Sequence, residues 1–250
     1  MTAPVGHAAV DPGAGGTLRV HVRRGETVAD YAVPRRANQT VLDVVTEIQR
    51  DQDPTLAYRF ACRVGMCGSC GMTVNGRPRW TCRTRVAAVA PDGELLLEPL
   101  RNLPVVKDLA VDMEPFFEKW RRAHGYFEPG ENPPEDFAVV EPESAARREV
   151  DAGIECINCG VCYAACDLVT WNPDYLGPAA LNRAWTLVND VRDRDRDRLA
   201  AVAGDAGCHS CHSHMSCTEH CPKGLSPTFS IAGLKRETGK AALRRFWRRG

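Results

Sequence analysis

Thiols dominate the chemistry open to this chain. Of its twelve cysteines in 250 residues, Cys62, Cys67, Cys70 and Cys82 follow the pattern C-x4-C-x2-C-x11-C. A C-x4-C-x2-C step with a fourth thiol further on is a ligand set for a 2Fe–2S cluster. Four thiolates also suit structural zinc, but zinc sites are usually built from two C-x2-C knuckles. This segment has one knuckle and an x4 step. Gly65, Gly68 and Gly71 alternate with the thiols. Glycine tolerates positive φ, which lets a loop curl until its N–H groups face negative sulfur, and all three glycines are expected to serve that curl.

A second group is denser. The stretch "CINCGVCYAAC" reads Cys156-x2-Cys159-x2-Cys162-x3-Cys166. This is the bacterial ferredoxin run, in which three cysteines hold one 4Fe–4S cluster and the fourth ligates the other cluster. It therefore demands a partner, and "CHSHMSCTEHCP" supplies Cys211-x2-His214-x2-Cys217-x3-Cys221-Pro222. By the exchange rule Cys221 joins Cys156, Cys159 and Cys162 in a 4Fe–4S site, while Cys166 joins Cys211 and Cys217. Three thiols suit a 3Fe–4S cluster. His214 stands where the missing corner's ligand would be. It either ligates iron there, as imidazole can, or only fills the space. Cys208 is left over, three residues before Cys211, and reads as an ordinary small buried residue.

The elements that must carry these groups differ between the two halves. Leu18, Val20 and Val22 alternate with polar residues as in a half-buried strand, and a second strand follows the turn at Gly25. Thr40 with Asp43 three residues on makes a capping-box pattern, and Val41, Val44, Val45 and Ile48 give the following helix an apolar face. Asn75-Gly76 is a hairpin signal, and "GELLLEP" supplies a further strand. This order is compatible with a β-grasp around one helix. From about Asn102 to Pro142 proline and charge accumulate, which reads as a connector lying over the surface. Beyond it the pattern is helical, with Pro178 at a first helical position and Ser226-Pro227 at another start. "RDRDRDR", Arg192 to Arg198, reads as a solvated face. The expected class is α+β: a 2Fe–2S ferredoxin-like β-grasp domain over 17–104, a connector over 105–142, and an all-α dicluster domain over 143–250. Residues 1–16 read as a loose tail.

Composition removes other readings. Formal net charge is zero, so no global electrostatic case for a nucleic-acid partner exists. The first sixteen residues have neither a basic region nor an apolar run, and no stretch is apolar enough to span a bilayer. Cysteine-rich chains of this kind point to metal or redox chemistry rather than to disulfides.

The 2Fe–2S loop followed by "CINCGVCYAAC" and "CHSHMSCTEHCPKGLSP" resembles the iron–sulfur subunit of the succinate dehydrogenase/fumarate reductase family. The likeness runs from about Leu18 to about Lys235 and includes "VVKDLAVDMEPFFEKW" and "WNPDYLGPAAL". It implies a subunit that passes single electrons between a flavoprotein, which alone carries FAD, and a membrane quinone, beside a membrane anchor. No dicarboxylate site is expected on this chain. The resemblance further implies that Trp171, His212 and Lys235 lie near the quinone. Core packing is the other reading of Trp171, and surface or helix-end charge that of His212 and Lys235. Asp167 departs from the family, where proline usually follows this cysteine; it either relays protons or caps the next turn. His214 likewise replaces a commonly apolar residue. The expected location is peripheral, on the cytoplasmic face of the cell membrane and held by the anchor. From Lys235 onward the chain has seven basic residues and one acid, with Phe246 and Trp247 among the arginines. Such a tail suits an anionic membrane surface, or else is a frayed helix end. Rival functions are an iron–sulfur carrier for another flavin dehydrogenase and a soluble ferredoxin-like carrier.

Overall fold

A computed structural model describes residues 15–130 and 140–247. The tail expected over 1–16 therefore lies almost wholly outside the described residues, as does part of the proline-rich stretch. Strands β1 (Thr17–Arg24) and β2 (Thr27–Pro34) pair antiparallel, and β5 (Glu94–Glu98) runs parallel to β1. β3 (Gly71–Val74) and β4 (Arg77–Trp80) form a hairpin that completes a five-stranded sheet in the order β2-β1-β5-β3-β4. Asn75 and Gly76 at its turn are both left-handed, as a two-residue turn matched to strand twist requires. Helix α1 (Val41–Asp51) starts at the expected capping box. Thr40 N–H donates to Asp43 Oδ2 at 2.9 Å, and Asp43 N–H donates to Thr40 Oγ1 at 3.2 Å. Its residues Val41, Val44, Val45 and Ile48 are fully buried against Leu18, Val20 and Val22 of β1, each burial contributing about 1.5–3 kcal/mol. This is the β-grasp expected. A short helix α2 (Val86–Val89) leads into β5.

The segment 105–142 does more than link. β6 (Val105–Lys107) and β7 (Ala110–Val111) form a small hairpin whose Leu109 enters the sheet core, and Asp108 accepts from Arg24 and from the Ala57 N–H. Val111, then Phe116 of α3 (Glu114–Arg122) and Ala123, enter the helical core. The expectation of a surface connector is thus wrong for 108–123. Proline and charge there flank apolar anchors that fasten one core to the other.

The helical half contains α4 (Ala145–Ile154), α5 (Val161–Ala164), α6 (Asp167–Trp171), α7 (Pro178–Val188), α8 (Arg198–Ala201), α9 (Ser216–Glu219) and α10 (Pro227–Trp247). α7 begins at Pro178, and α10 at Pro227 with Ser226 Oγ accepting the Phe229 N–H at 3.3 Å. Leu181, Ala184 and Trp185 of α7 share a core with Ile231 and Leu234 of α10.

The reading of "RDRDRDR" as a solvated face holds for Arg192, Arg194, Arg196 and Asp197 but fails for Arg198 and the two aspartates that pair with it. The Arg198 side chain is 2% exposed. It pairs with Asp193 and, at 3.4 Å, with Asp195, and it donates to the carbonyls of His124 (2.9 Å) and Tyr126 (2.8 Å). Alternating charges here fold inward because carbonyls from a distant turn complete the guanidinium's partners. Breaking a buried pair from one side costs about 3–5 kcal/mol, because the remaining charges stay buried. Arg198→Ala is expected to lower the urea midpoint of the helical half by that order, while Arg196→Ala on the exposed side moves stability by less than about 0.5 kcal/mol. Equal midpoints for the two variants would contradict the assignment.

Candidate iron–sulfur sites

All twelve cysteines are free of disulfides. In the first group, Cys67 is exposed, Cys62 is half-buried, and Cys70 and Cys82 are buried. The loop curls as expected: the N–H groups of Met66 and Cys67 each donate to Cys62 Sγ at 3.3 Å. Those donors, with the N–H of Val64, draw the Cys62 thiol down to about 6. Burial, reinforced by the neighbouring Cys70, pushes Cys82 up to about 11. Thr81 ties the two ends together, its N–H and hydroxyl both donating to the Cys70 carbonyl at 3.1 and 2.8 Å. Gly65 and Gly68 take positive φ (73° and 72°), but Gly71 does not. Gly71 opens β3 and is small for a different reason, close approach.

The second group surrounds a cavity just before α5. Cys156, Cys159, Cys162 and Cys221 line it, with Asn182, Leu225 and Pro227 completing the wall. Burial raises the thiols of Cys156, Cys159 (to about 12) and Cys162. Three of the four sulfurs thus resist ionisation by themselves, and a cage of this kind suits cations, since iron would take the thiolate form and compensate its burial. A third cavity is lined by Cys166, Cys211 and Cys217, with Tyr175, Thr228, Asp167, His212 and His214. Cys221 and Cys166 have thus crossed between the runs. Among the described residues no three His, Cys, Asp or Glu side chains close to single-ion distance. One tetrahedral zinc would draw its sulfurs to within about 3.8 Å of each other. The donor sets, four thiols, four thiols and three, suit iron–sulfur clusters.

The two runs share a backbone. Asn158 and Gly160 are left-handed, and so are Ser213 and Met215 at the same offsets from Cys156 and Cys211. Short helices α5 and α9 then follow at matching positions. His214 therefore occupies the backbone place of Cys159, and its exposed ring lies 6.3 Å from that of His212.

Other residues singled out from sequence settle around the third group. Trp171 ends α6 and is 72% exposed, which removes core packing as its role. His212 is exposed in the same loop, and Ser213 N–H donates to Cys211 Sγ at 3.4 Å. Lys235 lies mid-α10, not at its end, and its Nζ donates to the Cys211 carbonyl. Asp167 sits in the first turn of α6 with Arg101 at 3.8 Å. Cys208 is wholly buried, its sulfur 3.8 Å from the Thr238 hydroxyl, and does not line the cavity. Sequence reasoning missed Asn102, whose amide donates to the carbonyls of Tyr163 and Cys166 at 3.1 and 3.2 Å. It also missed Thr228, 3.4 Å from Cys217 Sγ. Neither has a spacing signal, and Asn102 lies more than sixty residues from the carbonyls it binds.

Residues 18–118 match a 2Fe-2S iron-sulfur cluster binding domain, and residues 155–226 a 4Fe-4S dicluster domain. A fumarate reductase iron-sulfur subunit of Mycobacterium tuberculosis is 36% identical over 231 residues, 91% of this chain and 92% of that protein. The chain belongs to the succinate dehydrogenase/fumarate reductase iron–sulfur subunit family. The mitochondrial succinate dehydrogenase [ubiquinone] iron-sulfur subunit 1 of Oryza sativa is 35% identical over 198 residues, 78% of this chain and 70% of that protein. A chain of the Mycobacterium smegmatis Sdh1 complex superposes with a TM-score of 0.81 at 28% identity, over 91% of this chain and 98% of that one. Members of the family carry 2Fe–2S, 4Fe–4S and 3Fe–4S clusters, transfer electrons through them, and work with flavoprotein and membrane anchor subunits.

The crossing makes a testable demand. Cys221→Ala is expected to abolish the low-temperature EPR signal of the centre served by Cys156, and Cys70→Ala that of the 2Fe–2S centre alone. Loss of every signal from Cys70→Ala would show that the halves do not hold their groups separately.

Proposed function

We propose that this chain is the electron wire of a membrane-bound succinate:quinone or fumarate:quinol oxidoreductase, with its domains divided at 17–104, 105–142 and 143–250. The observation that carries it is the sharing of sulfurs. Cys62, Cys67, Cys70 and Cys82 hold a 2Fe–2S cluster; Cys156, Cys159, Cys162 and Cys221 a 4Fe–4S cluster; Cys166, Cys211 and Cys217 a 3Fe–4S cluster. Clusters at such sites accept and release one electron at a time, which splits the two-electron exchange of a flavin into single steps. The chain's own residues fix the order and surroundings of the three sites. Loop N–H groups of Met66 and Cys67 stabilise negative sulfur, and Leu225, Tyr175 and Ile231 exclude water from the deeper two.

Trp171, His212, Lys235 and Asp167 gather around the third group, where a quinone would receive electrons. The exposed indole N–H of Trp171 is placed to donate to a quinone oxygen. His212, in the wall of the third cavity, offers a second donor. Lys235, through the Cys211 carbonyl, holds the loop in position, and Asp167 with Arg101 offers a proton carrier at the surface. Among the described residues no helix is long and apolar enough to cross a membrane. The chain is peripheral, held through its partners, and we place it on the cytoplasmic face. The end of α10, with Leu243, Phe246 and Trp247 exposed on either side of Arg244 and Arg245, rests on anionic headgroups in this reading.

Trp171→Phe keeps the ring and removes the N–H. Quinone reduction in the assembled complex is expected to fall about tenfold, the worth of one hydrogen bond of ~1.4 kcal/mol, with dye reduction at the flavin unchanged. Co-purification under mild detergent tests the whole reading: a flavoprotein and an anchor should accompany the chain. A chain that migrates alone with full cluster content would be a soluble carrier instead. Oxidised protein should show a 3Fe–4S signal; two reducible 4Fe–4S centres in its place would make His214 a ligand. Arg244→Glu with Arg245→Glu should weaken binding to anionic vesicles, by ~1 kcal/mol for each basic residue removed.

A further inference from the structure

The two halves meet where their thiol loops touch. A Cβ at Gly68, between Cys67 and Cys70, would lie 2.7 Å from the Cβ and 2.8 Å from the Cα of Cys159. A Cβ at Gly71 would lie 3.3 Å from the Cys159 carbonyl oxygen and 3.0 Å from Leu100 Cδ1. Contacts under 3.0 Å are not accommodated by packed backbone, so any side chain at Gly68 must push the two loops apart. Leu100 is buried, and with Met113 it lines the crevice flanking this contact beside Ser69 and Asn158. The ion pair between Arg77 of β4 and Glu219 of α9, 2.8 Å long, also bridges the halves, but it is exposed and contributes little.

We infer that Gly68 and Gly71 are positioning residues for electron passage: their missing side chains set the gap between the first and second cluster sites at its minimum. Tunnelling falls steeply with separation, and faster across a solvent-filled gap than through packed atoms. The step moves one electron from the centre held by Cys62, Cys67, Cys70 and Cys82 to the centre held through Cys159. The first is oxidised and the second reduced, and no bond or proton changes hands. In the opposite direction the same contact serves in reverse. Gly68 needs its left-handed φ for the loop as well, whereas Gly71 has an ordinary backbone and is small because of Leu100 in its own half and the Cys159 carbonyl across the gap.

The inference rests on the proposed ligand assignment, and its test separates the two: wrong ligands would show as altered or missing signals in the unmodified complex. Gly68→Ala and Gly71→Ala are to be made in the full complex with flavoprotein and anchor. Gly25→Ala, at an equally left-handed turn with nothing within 4 Å, is the control for backbone strain. Two readouts are taken besides turnover: the spin–spin interaction between the reduced first and second centres by EPR, and the rate at which the second centre is reduced after the first. Both loop variants are expected to lose magnetic interaction and transfer rate while keeping each centre's own signal, with Gly25→Ala like the parent. Should Gly68→Ala fail to hold its cluster, Gly71→Ala alone decides. Unchanged interaction and rate in Gly71→Ala overturn the inference, and so does loss of the first centre in both variants, which would assign the glycines to cluster assembly.

Discussion

Burial of sulfur that must carry negative charge is the constraint on which this molecule is built. A thiolate in an apolar hollow is unfavourable by itself, and the thiols of Cys156, Cys159 and Cys162 resist ionisation accordingly. The surrounding protein answers differently at each depth. Near the surface, backbone N–H groups compensate Cys62 directly. Deeper in, few such donors reach the sulfurs, and the compensation must come from what the cage encloses. Around the third group donors return, the Ser213 N–H reaching Cys211 Sγ and Thr228 lying 3.4 Å from Cys217 Sγ, and such differences between sites are a means of setting different affinities for an electron.

The helical half builds one continuous apolar core around its two thiol-lined hollows. Its rigidity comes from fastenings around them. α7 against α10 supplies the apolar contact, Arg198 knits the turn near His124 to the segment before α8, and Asn102 holds two carbonyls of the second cysteine run from the far side. Segment 108–123 contributes to both cores, so the two halves are joined by packing and not merely by sequence. Cluster sites at fixed separation need such a frame.

What was legible in the sequence was local or modular. The thiol spacings, the Thr40–Asp43 cap, the Asn75-Gly76 turn and the prolines opening α7 and α10 are each decided within a few residues, and the structure has each where expected. What was not legible depended on distant neighbours. Arg198 lies inside because carbonyls more than seventy residues away meet it, and nothing in "RDRDRDR" distinguishes that arginine from its exposed companions. Gly71 resembled its neighbours in the loop, yet its smallness answers to Leu100 and to Cys159 across the domain junction. Trp171 could have been buried or exposed, and only the packing of α6 decides.

The proposed exchange of Cys166 and Cys221 has a consequence for how the molecule is made. The ribosome releases Cys156, Cys159 and Cys162 well before it reaches Cys221, and Cys166 long before Cys211 and Cys217. With ligands shared in this way, neither site of the helical half can be filled on the nascent chain until the last cysteine has emerged.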